Sequence, residues 1–341
     1  MANDVNDEAV VFCSNPDCRV SETDLCVEAF ELSACPYYGR EAEETSETDR
    51  GSEEKSKEPS SIVLPSADTL TLAETSRLLR KGAARVIAII GPRDAGKTSL
   101  IASLYELFQV GPVAKIRFAR SQTLHAFEQT CHDARAASRR AEPHTYRTPR
   151  GEVRFYHLDL GGAPLGHRLA IVLGDRAGEE YQGAADDASI AMAFPEVRRA
   201  DSLTVLVDGN RLIDSGARHN LRSEILMMLQ GLVDGGAVQA GQRLALVLTK
   251  IDVVNKSPHM ARAEKNFISL KERIQQLFDH VFFVIQPFKI AAAPKTNAVP
   301  RGTGVPELLT FWLEPAPPMD VSLPVRPEFV RAFARIVPLD A

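Results

Sequence analysis

Residues Arg85 to Thr98 read RVIAIIGPRDAGKT, and few backbones can accommodate that order. The apolar run Val86 to Ile90 predicts a short buried strand. Gly91-Pro92-Arg93-Asp94-Ala95-Gly96-Lys97-Thr98 follows at once, with four residues between two glycines, then Lys and Thr, which is the phosphate-loop pattern. Gly91 and Gly96 let the backbone curl so that successive N–H groups point inward at phosphate oxygens. The amides from Gly91 through Asp94, Ala95, Gly96, Lys97, Thr98 and Ser99 form the candidate cradle. Lys97 places a point charge at the β/γ-phosphates, and Thr98 offers a hydroxyl to Mg²⁺. The amphipathic run Ser99 to Phe108 predicts a helix whose positive N-terminal end faces the anion. A strand, loop and helix in that order predict a nucleoside-triphosphate site.

Further acidic residues narrow the nucleotide. Leu173-Gly174-Asp175-Arg176-Ala177-Gly178-Glu179-Glu180 ends a strand-like run with Asp-x-x-Gly. An acidic residue leaving a strand beside the loop can hold Mg²⁺, and Gly178 lets its N–H approach a terminal phosphate. Later, Leu244 to Leu248 leads into Thr249-Lys250-Ile251-Asp252. A carboxylate at Asp252 can accept hydrogen bonds from N1–H and the exocyclic amine of guanine, a donor pair that adenine lacks. The Lys250 stem can cover the base.

With these motifs in order, the chain resembles a Ras-like GTPase of the translation-factor-related class over residues 83 to 314, and its loop is close in form to that of Arf-like proteins. The long basic insertion and the run Val205 to Asn210, VLVDGN, are similar to bacterial GTPases of the double-GTPase type found in predicted conflict systems. The resemblance implies that Ala291 and Ala292, with Ala293, supply a base-contacting backbone loop. It also implies that Gly302 to Leu309 leads into a closing helix. A switch threonine that binds Mg²⁺ is expected, with Thr145 and Thr148 as the nearest matches and Thr123 as a third. Two residues depart from the pattern. Glu179 stands where many Ras-like proteins carry a water-orienting glutamine; its carboxylate can act as a base but repels the γ-phosphate, so slow hydrolysis is expected. Arg93 stands where Ras has a small residue, and its side chain can either stabilise developing charge or block an incoming arginine finger.

The alternation of strand-like and helix-like runs predicts an α/β fold, a mostly parallel six-stranded sheet with helices on both faces, and the resemblance implies that this is the P-loop GTPase fold. The Gly161 to Gly166 connection between Glu152–Leu160 and Arg168–Leu173 predicts a hairpin, hence one antiparallel strand. Further strands are expected at Leu203–Val207 and Val281–Ile285, and helices at Leu221–Val233 and Ala261–Phe278. Thr71-Leu72-Ala73-Glu74 is a capping box that opens a short helix ahead of the first strand. The polar stretch from Gly111 carries Arg135, Arg139, Arg140, Arg147 and Arg150, suited to phosphates or an acidic partner, or to a plain solvated face. His132, His144, His157 and His167 show no metal spacing, so packing or surface roles are expected.

Outside that region, residues 1–40 hold Cys13, Cys18, Cys26 and Cys35, four of the five cysteines. In a reducing compartment such a cluster suggests a Cys₄ Zn²⁺ module; buried thiols and a redox disulfide are the alternatives. Residues 41–66 form an acidic linker, with eight acidic and three basic residues between Glu41 and Glu58. The GTPase domain is expected over 67–314. Residues 315–341 read as a proline-rich connector and an amphipathic helix with Phe329, Phe333 and Ile336 on one face, either packing back or binding a partner.

A net charge of -5 across 341 residues argues against general nucleic-acid binding. No apolar run reaches the roughly 18 residues of a membrane span, and no basic leader precedes an apolar one, so a cytoplasmic location is expected. The expected function is a GTP/GDP-binding switch with slow Mg²⁺-dependent hydrolysis, acting on an unidentified protein effector or a second GTPase, with no membrane partner. Bacterial defence is what the double-GTPase resemblance implies. A non-hydrolysing guanine-nucleotide module and an ATP-driven P-loop enzyme are the alternatives.

Overall fold

The computed structural model describes residues 20, 31–35, 38, 67–134, 151, 153–294 and 298–315. The chain divides into two compact units, Met1–Ile62 and Val63–Ala341. In the first, a 3-10 turn at Leu32–Ala34 precedes Cys35, a half-buried thiol. Cys13, Cys18 and Cys26 lie outside the described residues, as do the acidic stretch, the arginines from Arg135 to Arg150, and the C-terminal amphipathic segment.

The second unit is built on seven strands: β1 Ala84–Ile90, β2 Arg117–Arg120, β3 Arg154–Gly161, β4 Leu169–Asp175, β5 Ser202–Asp208, β6 Arg243–Thr249 and β7 Val284–Lys289. They hydrogen-bond in the order β2-β3-β4-β1-β5-β6-β7. β4, β1, β5, β6 and β7 run parallel to one another, whereas β3 runs antiparallel to both β2 and β4. Thus one strand opposes the rest, as the Gly-rich hairpin requires. The helices are α1 Leu72–Leu79, α2 Lys97–Val110, α3 Leu124–Ala134, α4 Gly178–Asp186, α5 Pro195–Arg198, α6 Gly209–Ile213, α7 Ala217–Asp234, α8 Ile251–Lys256, α9 Met260–Phe278 and α10 Val305–Leu313.

Period-two alternation sorts β1 between two cores. Ile87 and Ile89 pack with residues of α2, α3 and α10, while Ala88 and Ile90 pack with residues of α4, α7 and α9. Every residue of β5 and β6 is buried, so both faces of the sheet centre need helical cover. A smaller cluster of Leu70, Leu78, Val86, Phe155 and Val172 lies under α1. That helix starts where its sequence says: the Thr71 N–H donates to Glu74 Oε2 at 2.8 Å, and the Glu74 N–H donates to Thr71 Oγ1 at 3.3 Å.

The sheet has one strand more than the six expected. β2 reads RFAR, a short edge strand in which only Phe118 is even half-buried, against Tyr105 and Phe108, so no apolar alternation marks it. β7 also begins at Val284 rather than Val281. The N–H groups of Val281 and Phe282 both donate to the Phe278 carbonyl, which extends the turn that ends α9.

The chain runs from β1 out to β2, returns through β3 and β4 to one side of β1, then crosses to β5 on the other side. β1 is therefore the switch point of the sheet, and the crevice beyond its carboxyl end is where such sheets bind ligands.

Candidate nucleotide site

The loop leaves β1 at that crevice. Asp94 and Gly96 take left-handed backbone conformations, with φ of 59° and 96°. Glycine adopts this region without a Cβ penalty, and Asp tolerates it better than most residues. Ala95 is fully buried, and Lys97, Thr98 and Ser99 form the first turn of α2. Lys97 folds back so that its Nζ donates to the carbonyls of Gly91 and Pro92, both at 3.1 Å. Burial lowers the Lys97 pKa, and the carboxylates of Asp175, Glu179 and Asp94 oppose that shift. A cation is thus fixed at the mouth of a loop of backbone amides.

Asp175 ends β4 beside β1, in register with Ile89, and is 1% exposed. The Thr98 hydroxyl donates to Asp175 Oδ2 at 3.0 Å, so the two residues separated by 77 positions meet at the loop. Gly178 begins α4 against the loop itself. A Cβ there would lie 2.7 Å from the Arg93 nitrogen and from the Gly91 oxygen, so only glycine allows this approach. Glu179 follows, with Oε1 3.9 Å from Arg93 Nε; Arg93 also lies 3.3 Å from Asp94 and is 59% exposed. The two residues that depart from the Ras-like pattern therefore face one another.

Inside the same Asp-x-x-Gly, Arg176 is buried. Its Nε donates to Glu196 Oε1 at 2.7 Å, its Nη2 to Glu196 Oε2 at 3.3 Å, and its Nη1 to Glu180 Oε2 at 2.7 Å. The Tyr181 hydroxyl donates to Glu196 Oε1 at 3.0 Å, and the guanidinium lies over the Phe194 ring. Burial opposes the charge on Arg176, yet these carboxylates hold its pKa above the ordinary value. α4 is thereby tied to α5.

At the far end of the crevice, β6 delivers Thr249 and Lys250. Lys250 has φ of 56°, and its Nζ donates to Asp208 Oδ2 at 2.8 Å. Asp252, in the first turn of α8, is 5% exposed. The Ile251 N–H donates to the Ile290 carbonyl at 3.2 Å, which brings the start of α8 beside the segment after β7. There Ala291 and Ala292 are both buried, and Ala291 is bridged to Thr303. Thr249, Lys250, Asp252, Ala291 and Ala292 thus gather at one end of the site, with the loop, Thr98, Asp175 and Gly178 at the other.

Thr98 and Asp175 supply adjacent hard oxygen donors, which suit Mg²⁺. Among the described residues no group of three or more His, Cys, Asp or Glu side chains could hold a metal, so such a cation would rest on this mixed pair with phosphate and water oxygens. Thr145 and Thr148 lie outside the described residues. Thr123 is committed elsewhere: fully buried, its Oγ1 accepts from the His157 N–H at 2.9 Å. It pins the segment after β2 to β3 rather than facing the loop.

Arg176, Glu196 and Asp208 escape a reading of the sequence. Arg176 and Glu196 are 20 positions apart and look like surface charges. Asp208 carried a faint mark, an acidic residue ending the apolar run VLVD. No helix among the described residues is long and apolar enough to cross a membrane.

Fold and site together define a P-loop GTPase. The sequence pattern of the Double-GTPase 2 family matches residues 85–313, and the chain belongs to that family. No curated protein matches it. Similar solved structures include a bacterial selenocysteine-specific elongation factor, EF-Sec, at 17% identity and a TM-score of 0.36, covering 68% of this chain and 28% of that one. Another is the signal recognition particle receptor SRb-GTP/SRX complex from Chaetomium thermophilum, at 15% identity and a TM-score of 0.38, covering 67% of this chain and 95% of that one. The chain thus spans little more than a quarter of the elongation factor.

Proposed function

We propose that this GTPase is a guanine-nucleotide switch that binds GTP and GDP with Mg²⁺ and hydrolyses GTP slowly. The observation that carries the reading is the meeting of Thr98 and Asp175 at 3.0 Å beside the Lys97 ammonium. In this reading Thr98 and Asp175 hold the cation, which neutralises charge on the phosphate oxygens. Lys97 and the amides from Asp94 to Ser99 bind the phosphates and stabilise charge developing on the transferred phosphoryl group. Gly178 reports the terminal phosphate through its N–H. Asp252 selects guanine, and the Lys250 stem, steered by Asp208, lies along the base.

Slow turnover is expected because the Glu179 carboxylate, which stands beside the loop, is repelled by a γ-phosphate. The switch would signal through α4 to a protein effector, and the family's description as a double GTPase favours a second GTPase in that place. A cytoplasmic role in bacterial defence completes the reading. Multiple-turnover phosphate release tests it: the reading expects slow release from GTP that Lys97→Ala abolishes. Release equal in both proteins would leave a nucleotide-binding module without turnover.

A further inference from the structure

A second cleft lies away from the nucleotide crevice. It opens between α1 and α5 over the sheet, with a volume of about 320 Å³. Leu72, Leu79, Val86 and Phe155 give it apolar walls, and Leu72 is 49% exposed there although it belongs to a helix. Thr75 lines it too. This residue is 3% exposed, and its hydroxyl has no hydrogen-bond partner in the structure. That oxygen is itself closed off from the surface, so it offers a ligand no donor and the selectivity of the cleft rests on its charge.

Charge decides what kind of ligand. Glu196 lines the cleft, but both of its oxygens are taken by Arg176 and one also by Tyr181, so its charge is balanced within the protein. Arg80 and Arg199 also line it; Arg199 has only a 3.6 Å contact to Asp201, and Arg80 makes no ion pair among the described residues. The cleft therefore combines an apolar wall with a cationic pair of exposed side chains. Its volume holds roughly ten water-sized atoms at about 30 Å³ each, and it sits at the small end of ligand sites, which start near 300 Å³.

We infer that this cleft binds a small amphiphilic carboxylate, an acyl chain of about eight carbons by that volume. The chain lies along Leu72, Leu79, Val86 and Phe155, and the carboxylate meets Arg80 and Arg199. The inference does not depend on nucleotide hydrolysis, and its test needs none.

Isothermal titration of the full chain with octanoate, 1-octanol and octylammonium reads it out. Octanoate should bind with a Kd in the millimolar range or below, with 1-octanol about fivefold weaker and octylammonium weaker still. Leu79→Trp, which fills the cleft, should abolish octanoate binding. The Arg80→Glu/Arg199→Glu double variant changes only exposed side chains, so it keeps the test decisive if Leu79→Trp fails to fold; it should weaken octanoate and leave 1-octanol unchanged. Equal affinity for all three probes would mean an apolar surface without carboxylate selectivity and would overturn the inference. So would octanoate binding that survives both variants, or no heat of binding at several millimolar.

Discussion

Removing the Glu196 side chain isolates the cost of a buried charge beside α4. In Glu196→Ala, Arg176 loses two of its three carboxylate hydrogen bonds and keeps only Glu180, whose side chain is 19% exposed. The Tyr181 hydroxyl loses its acceptor in a fully buried site. Breaking one side of a buried pair costs about 3–5 kcal/mol because a desolvated charge is left behind. For a unit of this size each kcal/mol moves the melting temperature by about 2–4 °C, so the expected drop is about 6–20 °C. Urea unfolding followed by circular dichroism gives the free energy, and thermal unfolding gives the shift. The double variant Arg176→Met/Glu196→Leu should recover most of the loss, since it removes both charges and keeps apolar volume. A cost below about 1 kcal/mol, or a double variant no more stable than the single one, would refute the view that desolvation dominates this contact.

Other expectations follow from the same geometry. Asp252→Ala should weaken GDP about 10- to 100-fold in competition binding while leaving ATP unchanged, because a charged acceptor for two guanine donors is lost. Gly178→Ala would place a Cβ 2.7 Å from the Arg93 nitrogen, so it should detach the start of α4 from the loop and raise amide exchange in α4. His157 is buried against Asp159, and burial lowers its pKa. As pH falls below the ordinary imidazole value near 6.5, the unfolded chain takes up a proton that the folded chain resists. Stability should therefore decline from that pH down through the folded pKa, and His157→Asn should flatten this part of a urea-midpoint profile.

The sequence exposed those parts of the molecule whose physics is local. The strand before Gly91, the turn at Gly96 and the helix from Lys97 lie within one short window, and the Thr71–Glu74 capping box needs only four residues. The end of α9 at Phe278 and the hairpin of β3 and β4 were legible for the same reason. Nonlocal pairing was not. Arg176–Glu196 and Lys250–Asp208 join residues 20 and 42 positions apart, and a buried ion pair leaves no mark on hydrophobic periodicity. Thr123 matches a switch threonine by its place in the chain, but its hydroxyl is taken by the β3 backbone. β2 hid because an edge strand buries little, so RFAR carries only one half-buried side chain, Phe118, and shows no alternation.

Equilibrium binding of GTP, GDP and ATP in the presence of Mg²⁺, with wild type and Lys97→Ala side by side, tests the central claim most directly. GTP and GDP should bind at least about tenfold tighter than ATP, and Lys97→Ala should lose most of that affinity without unfolding. Tighter binding of ATP, or guanine-nucleotide binding that Lys97→Ala leaves intact, would contradict the account.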